Sequence, residues 1–163
     1  MKIAIISDTH DNLVTLKQAL GWIKKENIEE IIHCGDVSAP ETLEELSRDF
    51  AGPINLALGN ADAHKFKTDK NVTVWGETGE IAAGSDKIAF THFKDSGRKL
   101  AESGKYTLVF YGHTHKPWEE KVNGCRLINP GNLAGMFYKA TFTVYDTEKD
   151  ILELKILERL IKL

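Results

Sequence analysis

Cysteine is nearly missing from this chain. Its two thiols, Cys34 and Cys125, lie far apart among 163 residues and form no CxxC pair. That argues against a disulfide framework and a CxxC-type site, and fits reduced, buried thiols in a cytoplasmic protein. Metal ligation by Cys34, beside Asp36, is a minor alternative. Long apolar runs are missing too. Met1-Lys2 leads directly into a first strand whose apolar run is too short for a signal sequence or a membrane span, so neither is expected. A basic excess is also absent. The net charge is -3, whereas an extended nucleic-acid face is normally basic, so such a partner is not expected. A small phosphate-containing substrate remains open, because bound metal ions would supply the positive charge. Repeats, low-complexity tracts and linkers are absent, and a single domain over residues 1–163 is expected.

The order of elements comes from periodicity and punctuation. A strand at about residues 2 to 7 is followed by a helix capped by Asp11 or Asn12, with Leu13, Leu16, Leu20 and Ile23 on one face. A second strand covers Glu30 to Cys34. Ser38 is expected to cap a second helix, with Pro40 in its first turn and Glu41 as capping-box partner. Pro53 introduces a third strand, Ile54 to Leu58. This β-α-β-α-β alternation implies a parallel sheet. After Asn60 the chain turns mostly to β. Short strands are expected at 72–75, 80–83 and 87–90, with a helix from Ser96 to Ser103 capped by Asp95. A strand before His113, a hairpin around Asn123-Gly124 and a final pair, 140–145 and 151–156, complete the set. The sheet is expected to split into two packed layers with helices outside.

Five apolar runs each end in side chains that bind metals well. Ile3-Ala4-Ile5-Ile6 leads to Asp8 and His10, and Ile31-Ile32 to Gly35-Asp36. Ile54 to Leu58 leads to Gly59-Asn60, Lys87 to Phe90 leads to His92, and Tyr106 to Phe110 leads to Gly112-His113-Thr114-His115. Taken singly, each has an ordinary explanation: Asp8 as a cap, the Gly-Asp and Gly-Asn pairs as turns, His92 as a packed histidine. Together they supply a coordination set beyond the carboxyl ends of the strands, where ligands bind in open α/β sheets. Seven groups are too many for one tetrahedral ion with an open position. Two ions sharing Asp36 and a water or hydroxide fit the count. Mixed Asp, Asn and His donors suit manganese, iron, zinc, nickel or cobalt, and manganese leads that set. Two such ions would activate the shared water and stabilise attacking and leaving oxygens at phosphorus.

Asp8-Thr9-His10, Gly35-Asp36, Gly59-Asn60-Ala61-Asp62, Thr91-His92 and Gly112-His113-Thr114-His115, in that order, resemble the calcineurin-like metallophosphoesterase superfamily. The nearest likeness is to its small YfcE-like prokaryotic phosphodiesterase branch, and Ile128-Asn129-Pro130-Gly131 matches that branch. The resemblance implies a four-layer α/β/β/α sandwich of two mixed sheets. It implies a first metal held by Asp8, His10, Asp36 and His115, and a second by Asp36, Asn60, His92 and His113. Asp36, Asn60 and His92 would then form the catalytic set around a hydroxide nucleophile shared by the ions. Asp62 would steer a ligand histidine or a water, and His64 is a candidate proton donor.

Three positions depart from the family pattern. Ala61 stands where many phosphomonoesterases of the superfamily carry a histidine that acts as leaving-group acid. Phe93 follows His92 in place of glycine, and Asn132 follows the Asn-Pro-Gly turn in place of serine. The expected function is a metal-dependent phosphodiesterase acting on a small phosphate ester. A catalytically weak protein-binding scaffold of the same fold is the alternative, and a nuclease acting on polymers is a further one. The tail residues Leu157, Leu160, Ile161 and Leu163 are open to packing on a partner subunit, giving a homo-oligomer, or on their own core.

Overall fold

The computed structural model describes residues 1–62, 66 and 70–160. Its elements are β1 (Lys2–Ile6), α1 (Leu13–Lys25), β2 (Glu30–His33), α2 (Pro40–Asp49), β3 (Ile54–Ala57), β4 (Val72–Gly76), β5 (Thr78–Ala83) and β6 (Asp86–Thr91). They continue as α3 (Lys94–Glu102), β7 (Leu108–Phe110), β8 (Trp118–Val122), β9 (Cys125–Asn129), β10 (Thr141–Asp146), β11 (Ile151–Ile156) and α4 (Leu157–Leu160).

Two mixed sheets result, with strand orders β11-β10-β1-β2-β3-β4 and β5-β6-β7-β9-β8. In the first, β1 to β4 are parallel and the β10–β11 hairpin adds antiparallel to β1. In the second, β6, β7 and β9 are parallel, flanked by antiparallel β5 and β8. Side chains alternate across each strand, so a strand buried on both faces reads as a continuous apolar run. In β1, Ala4 and Ile6 join a core with α1 and α2, where Leu16, Leu20, Ile23, Leu43 and Leu46 are buried. Ile3 and Ile5 point the other way, into a core shared with Ile88, Phe90, Phe110 and Ile128 of the second sheet. On that sheet's outer face, Val109, Tyr111 and Leu127 pack with Ala101 of α3. The layers therefore run α1 and α2, first sheet, second sheet, α3. The C-terminal ends of β1, β2, β3, β6 and β7 open toward one rim.

Two expected caps are absent. Ser38 has φ +82° and donates its backbone N–H to Asp62, while Ala39 takes the cap position of α2 without a capping side chain. Asp11, from the β1–α1 loop, does the job instead: its Oδ1 accepts from Ala39 N at 2.8 Å and from Thr42 Oγ1 at 2.6 Å. Asp95 lies inside α3, because the chain passes from His92 through Phe93 directly into the helix. For α1 the cap is Asn12, which accepts from Thr15 N. Leu157 is buried and Leu160 packs against the same core as α1 and α2, while Ile161 and Leu163 lie outside the described residues. No helix among the described residues is long and apolar enough to cross a membrane.

Asp11 thus ties the first loop to the start of α2. Asp11→Ala should destabilise the metal-stripped protein by about 1–2 kcal/mol, the usual cost of losing a helix cap. Urea unfolding of parent and variant measures it. Equal midpoints would show that the contact is energetically idle.

Candidate metal centre

The seven expected ligand residues converge on the rim. Asp8, His10 and His115 form one group and Asp36, His92 and His113 another, each with potential ligand atoms within 4.8 Å of one another. His10 Nε2 lies 3.3 Å from His115 Nε2, and His113 Nδ1 lies 3.2 Å from His92 Nε2. Asn60 Oδ1 is 3.2 Å from His92 Nε2. Asp36 Oδ2 stands between the groups, 3.3 Å from His92 Nε2 and 3.7 Å from His10 Nε2. Two nitrogens bound to one divalent ion at about 2.0–2.1 Å lie roughly 3.0–3.5 Å apart. The imidazole spacings fall in that range.

The hydrogen bonds decide which atoms face inward. Asp8 Oδ2 accepts from Ser7 Oγ and from His113 N, leaving Oδ1 toward His10 and His115. Asp36 Oδ1 accepts from Ala61 N at 2.8 Å, leaving Oδ2. The Cys34 carbonyl can only accept, so His92 Nδ1 donates to it at 2.7 Å and Nε2 keeps its lone pair. In each case one atom is held by protein and the other is presented, as is usual around metal-ligating side chains. Asp8 Oδ1 is buried without a hydrogen-bond partner among the described residues, although His115 Nε2 is 3.2 Å away. A buried carboxylate oxygen lacking a donor is costly, and a cation removes that cost. The donor set and this orphaned oxygen fit divalent metal.

The electrostatics agree. The adjacent Asp8 carboxylate raises the pKa of His10 against the opposing effect of burial, and Asp36 adds to it. Burial opposes charge on His92 most strongly, yet Asp36 and Asp8 push its pKa up. Burial alone would raise the Asp36 carboxyl, but His92 and the Ala61 amide outweigh it and hold it below its usual value. The carboxylates draw protons onto their imidazole neighbours, so a cation must compete with protons for the centre.

The backbone is shaped to present these groups. Asp8, His10, Asp36, His113 and His115 all have positive φ, a region that side chains enter rarely and at some cost. The loops are joined by Asp8 N to Gly35 O, His10 N to Asp36 O and Gly112 N to His92 O. A Cβ at Gly59 would collide with Asp36 Oδ1, and one at Gly112 with Ser7 Oγ. No residue larger than glycine fits without moving Asp36 at the first place, or Ser7 and Asp8 at the second.

Neighbouring side chains hold the loops of the expected ligands, and Asp62, Asn129 and Asn132, all singled out in the sequence, are among them. Asp62 accepts from Asp36 N, Ser38 N and Gly59 N at 2.7–2.8 Å and so braces two ligand loops through main-chain contacts. Asn129 donates to Gly112 O and to Thr114 Oγ1, and Asn132 donates to His115 O. Ser7 carried no motif signal, whereas the Asn-Pro-Gly turn did point to Asn129. The Cys34 thiol belongs to neither ligand group, and burial pushes its pKa up. Arg98 is engaged by Glu120. His64 lies outside the described residues.

His33 is fully buried. Gly35 N–H donates to its Nδ1, so the proton sits on Nε2, which donates to Thr9 Oγ1 at 2.8 Å. Burial lowers its pKa to about 4.

A family model described as the calcineurin-like phosphoesterase superfamily domain matches residues 1–150. Phosphodiesterase MJ0936 of Methanocaldococcus jannaschii is 33% identical over 158 residues, covering 91% of this chain and 95% of that protein. The solved structure of an archaeal phosphodiesterase superposes with a TM-score of 0.88 at 30% identity, covering 96% of this chain and 99% of the other. The phosphoesterase YfcE of E. coli shares the fold, with a TM-score of 0.68 at 16% identity over 96% of this chain and all (100%) of that one.

Two outcomes are expected. Gly112→Ala should displace Asp8 and weaken manganese binding at least about tenfold, as loss of ligand support commonly does; calorimetric titration of folded variant and parent measures this, and equal affinities would contradict it. For His33, the unfolded chain takes up a proton near pH 6.5 and the folded chain only near pH 4. Stability contributed by neutral His33 is therefore lost as pH falls from about 6.5 toward 4. Denaturant unfolding of metal-stripped parent and His33→Gln across that window should show the parent declining more steeply, and parallel curves would contradict it.

Proposed function

The chain belongs to the calcineurin-like phosphoesterase superfamily, and on that premise we propose that it is a binuclear metal-dependent phosphodiesterase. The observation that carries the reading is the pair of donor groups joined by Asp36, with Asp8 Oδ1 left buried and unpartnered. Asp8, His10, Asp36 and His115 would hold one ion, and Asp36, Asn60, His92 and His113 the other. Bound there, two divalent ions would activate a water for in-line attack and offset charge developing at phosphorus.

The chain's own residues do the rest. Asp36 Oδ2 fixes the spacing of the two groups. Asn60, exposed at the mouth with its Oδ1 toward His92, has an amide N–H2 with no partner among the described residues, able to donate to a phosphate oxygen. His92, locked by the Cys34 carbonyl, keeps its lone pair directed inward. Ala61 contributes its backbone amide to Asp36 and has no side-chain proton to give a leaving group. That favours diesters and other substrates whose leaving groups need little protonation, and agrees with the 33% identical phosphodiesterase. Manganese as the working ion, a cytoplasmic setting and a single domain over residues 1–163 complete the reading. A scaffold without catalysis would not need seven inward-facing donors, so the enzyme reading is preferred.

Asp36→Asn should lower turnover of bis-p-nitrophenyl phosphate by more than about 100-fold and reduce bound metal, because a neutral amide replaces the shared carboxylate. Steady-state kinetics with metal analysis of the same samples tests this. Parent-like turnover with both ions in place would overturn the assignment of Asp36.

A further inference from the structure

A cavity of about 370 Å³ opens beside the centre, lined by Lys94, Tyr111, Thr114, Lys116, Trp118 and Tyr138. Thr114 lies between His113 and His115, so the cavity shares a wall with the ligand loop. Trp118 and Tyr138 are 49% and 46% exposed, so about half of each side chain is open to solvent. Lys116 Nζ stands 5.5 Å from the centre of the Trp118 ring, within cation–π range. Lys94 opens α3, whose cap residue Phe93 offers no side-chain acceptor to the first amides. Among the described residues neither lysine forms an ion pair, whereas nearby Arg98 is neutralised by Glu120. In a chain of net charge -3, two lysines with no carboxylate partner among the described residues, lining one cavity, mark a place for negative charge.

We infer that this cavity receives the retained ester arm of the diester, and that this arm carries a nucleobase and a further phosphate. The inference rests on the phosphodiesterase reading above and names its substrate class: a short nucleotide diester. An alkyl or polyol arm would leave the exposed indole and phenol without a flat partner. An uncharged aryl arm would leave both lysines unused. A base stacked on Trp118 or Tyr138 uses the aromatic faces, and a second phosphate meets Lys94 and Lys116. Two lysines match the charge of one extra phosphate, not of a polymer, in keeping with the acidic balance of the whole chain.

Three substrates with one leaving group test it: methyl p-nitrophenyl phosphate, p-nitrophenyl thymidine 5′-phosphate, and the same thymidine compound bearing a 3′-phosphate. The parent, loaded with manganese, should show kcat/KM rising along that series, mainly through KM. Trp118→Ala should lower kcat/KM for both thymidine compounds by roughly tenfold more than for the methyl ester, in the range of base stacking. Lys94→Met with Lys116→Met should lower it for the 3′-phosphate compound by about fivefold more than for its unphosphorylated counterpart. Equal values for the three substrates, or equal losses on all three in each variant, would overturn the inference while leaving the phosphodiesterase reading intact. If the parent hydrolyses none of them, that reading fails instead. Calorimetric titration with thymidine 3′,5′-bisphosphate then still decides the cavity: binding weakened at least fivefold by Trp118→Ala supports it, and no binding, or binding indifferent to both variants, refutes it.

Discussion

Two carboxylates, Asp8 and Asp36, are buried at 0% and 2% exposure in one cluster of loops, and much of the molecule is arranged around keeping them there. Like charges at low dielectric repel and lose hydration, so each carboxylate is stable only with compensating partners. The protein provides part of that compensation. Ser7, the His113 amide and the Ala61 amide each satisfy an outward-facing oxygen. The inward-facing oxygens are left for cations, protonated imidazole or both. The raised pKa values of His10 and His92 show which way the balance tips when protons alone respond.

Holding that arrangement requires a particular backbone. Five of the seven proposed ligands sit at positive φ, and the glycines at 59 and 112 let strands and loops approach within side-chain distance. The cost of these conformations is offset by the layers beneath. Ile3, Ile5 and Ile32 of one sheet pack against Phe90, Phe110 and Ile128 of the other, so the strand ends that carry the proposed ligands cannot drift apart without opening the central core. Asp62, reaching three main-chain amides, transmits that rigidity to the loops bearing Asp36 and Asn60.

Much of this was legible in the sequence for a simple reason. Strands buried on both faces are mostly apolar, with buried His33 and Asn55 as exceptions, and runs of polar residues resume where such a strand ends. Asp8, Asp36, Asn60, His92 and His113 stand out against Ile, Leu and Phe for that reason. What stayed hidden depends on contacts between distant segments. Ser38 looks like a cap, yet Asp11 fills that role across 31 residues to Thr42. Asp95 has the right chemistry for a cap but sits one step inside the helix. Which oxygen of Asp8 faces the centre follows from Ser7 and from His113, 105 residues away. The placement of β10 beside β1 likewise depends on a pairing that no local pattern encodes.

The central claim is that two ions sit side by side, joined through Asp36. Electron paramagnetic resonance of the manganese-loaded protein tests this directly, because ions sharing a carboxylate couple magnetically while separate ions do not. The account predicts a coupled spectrum at a stoichiometry of two ions per chain. A spectrum of isolated ions at full loading, or saturation at one ion, would contradict it.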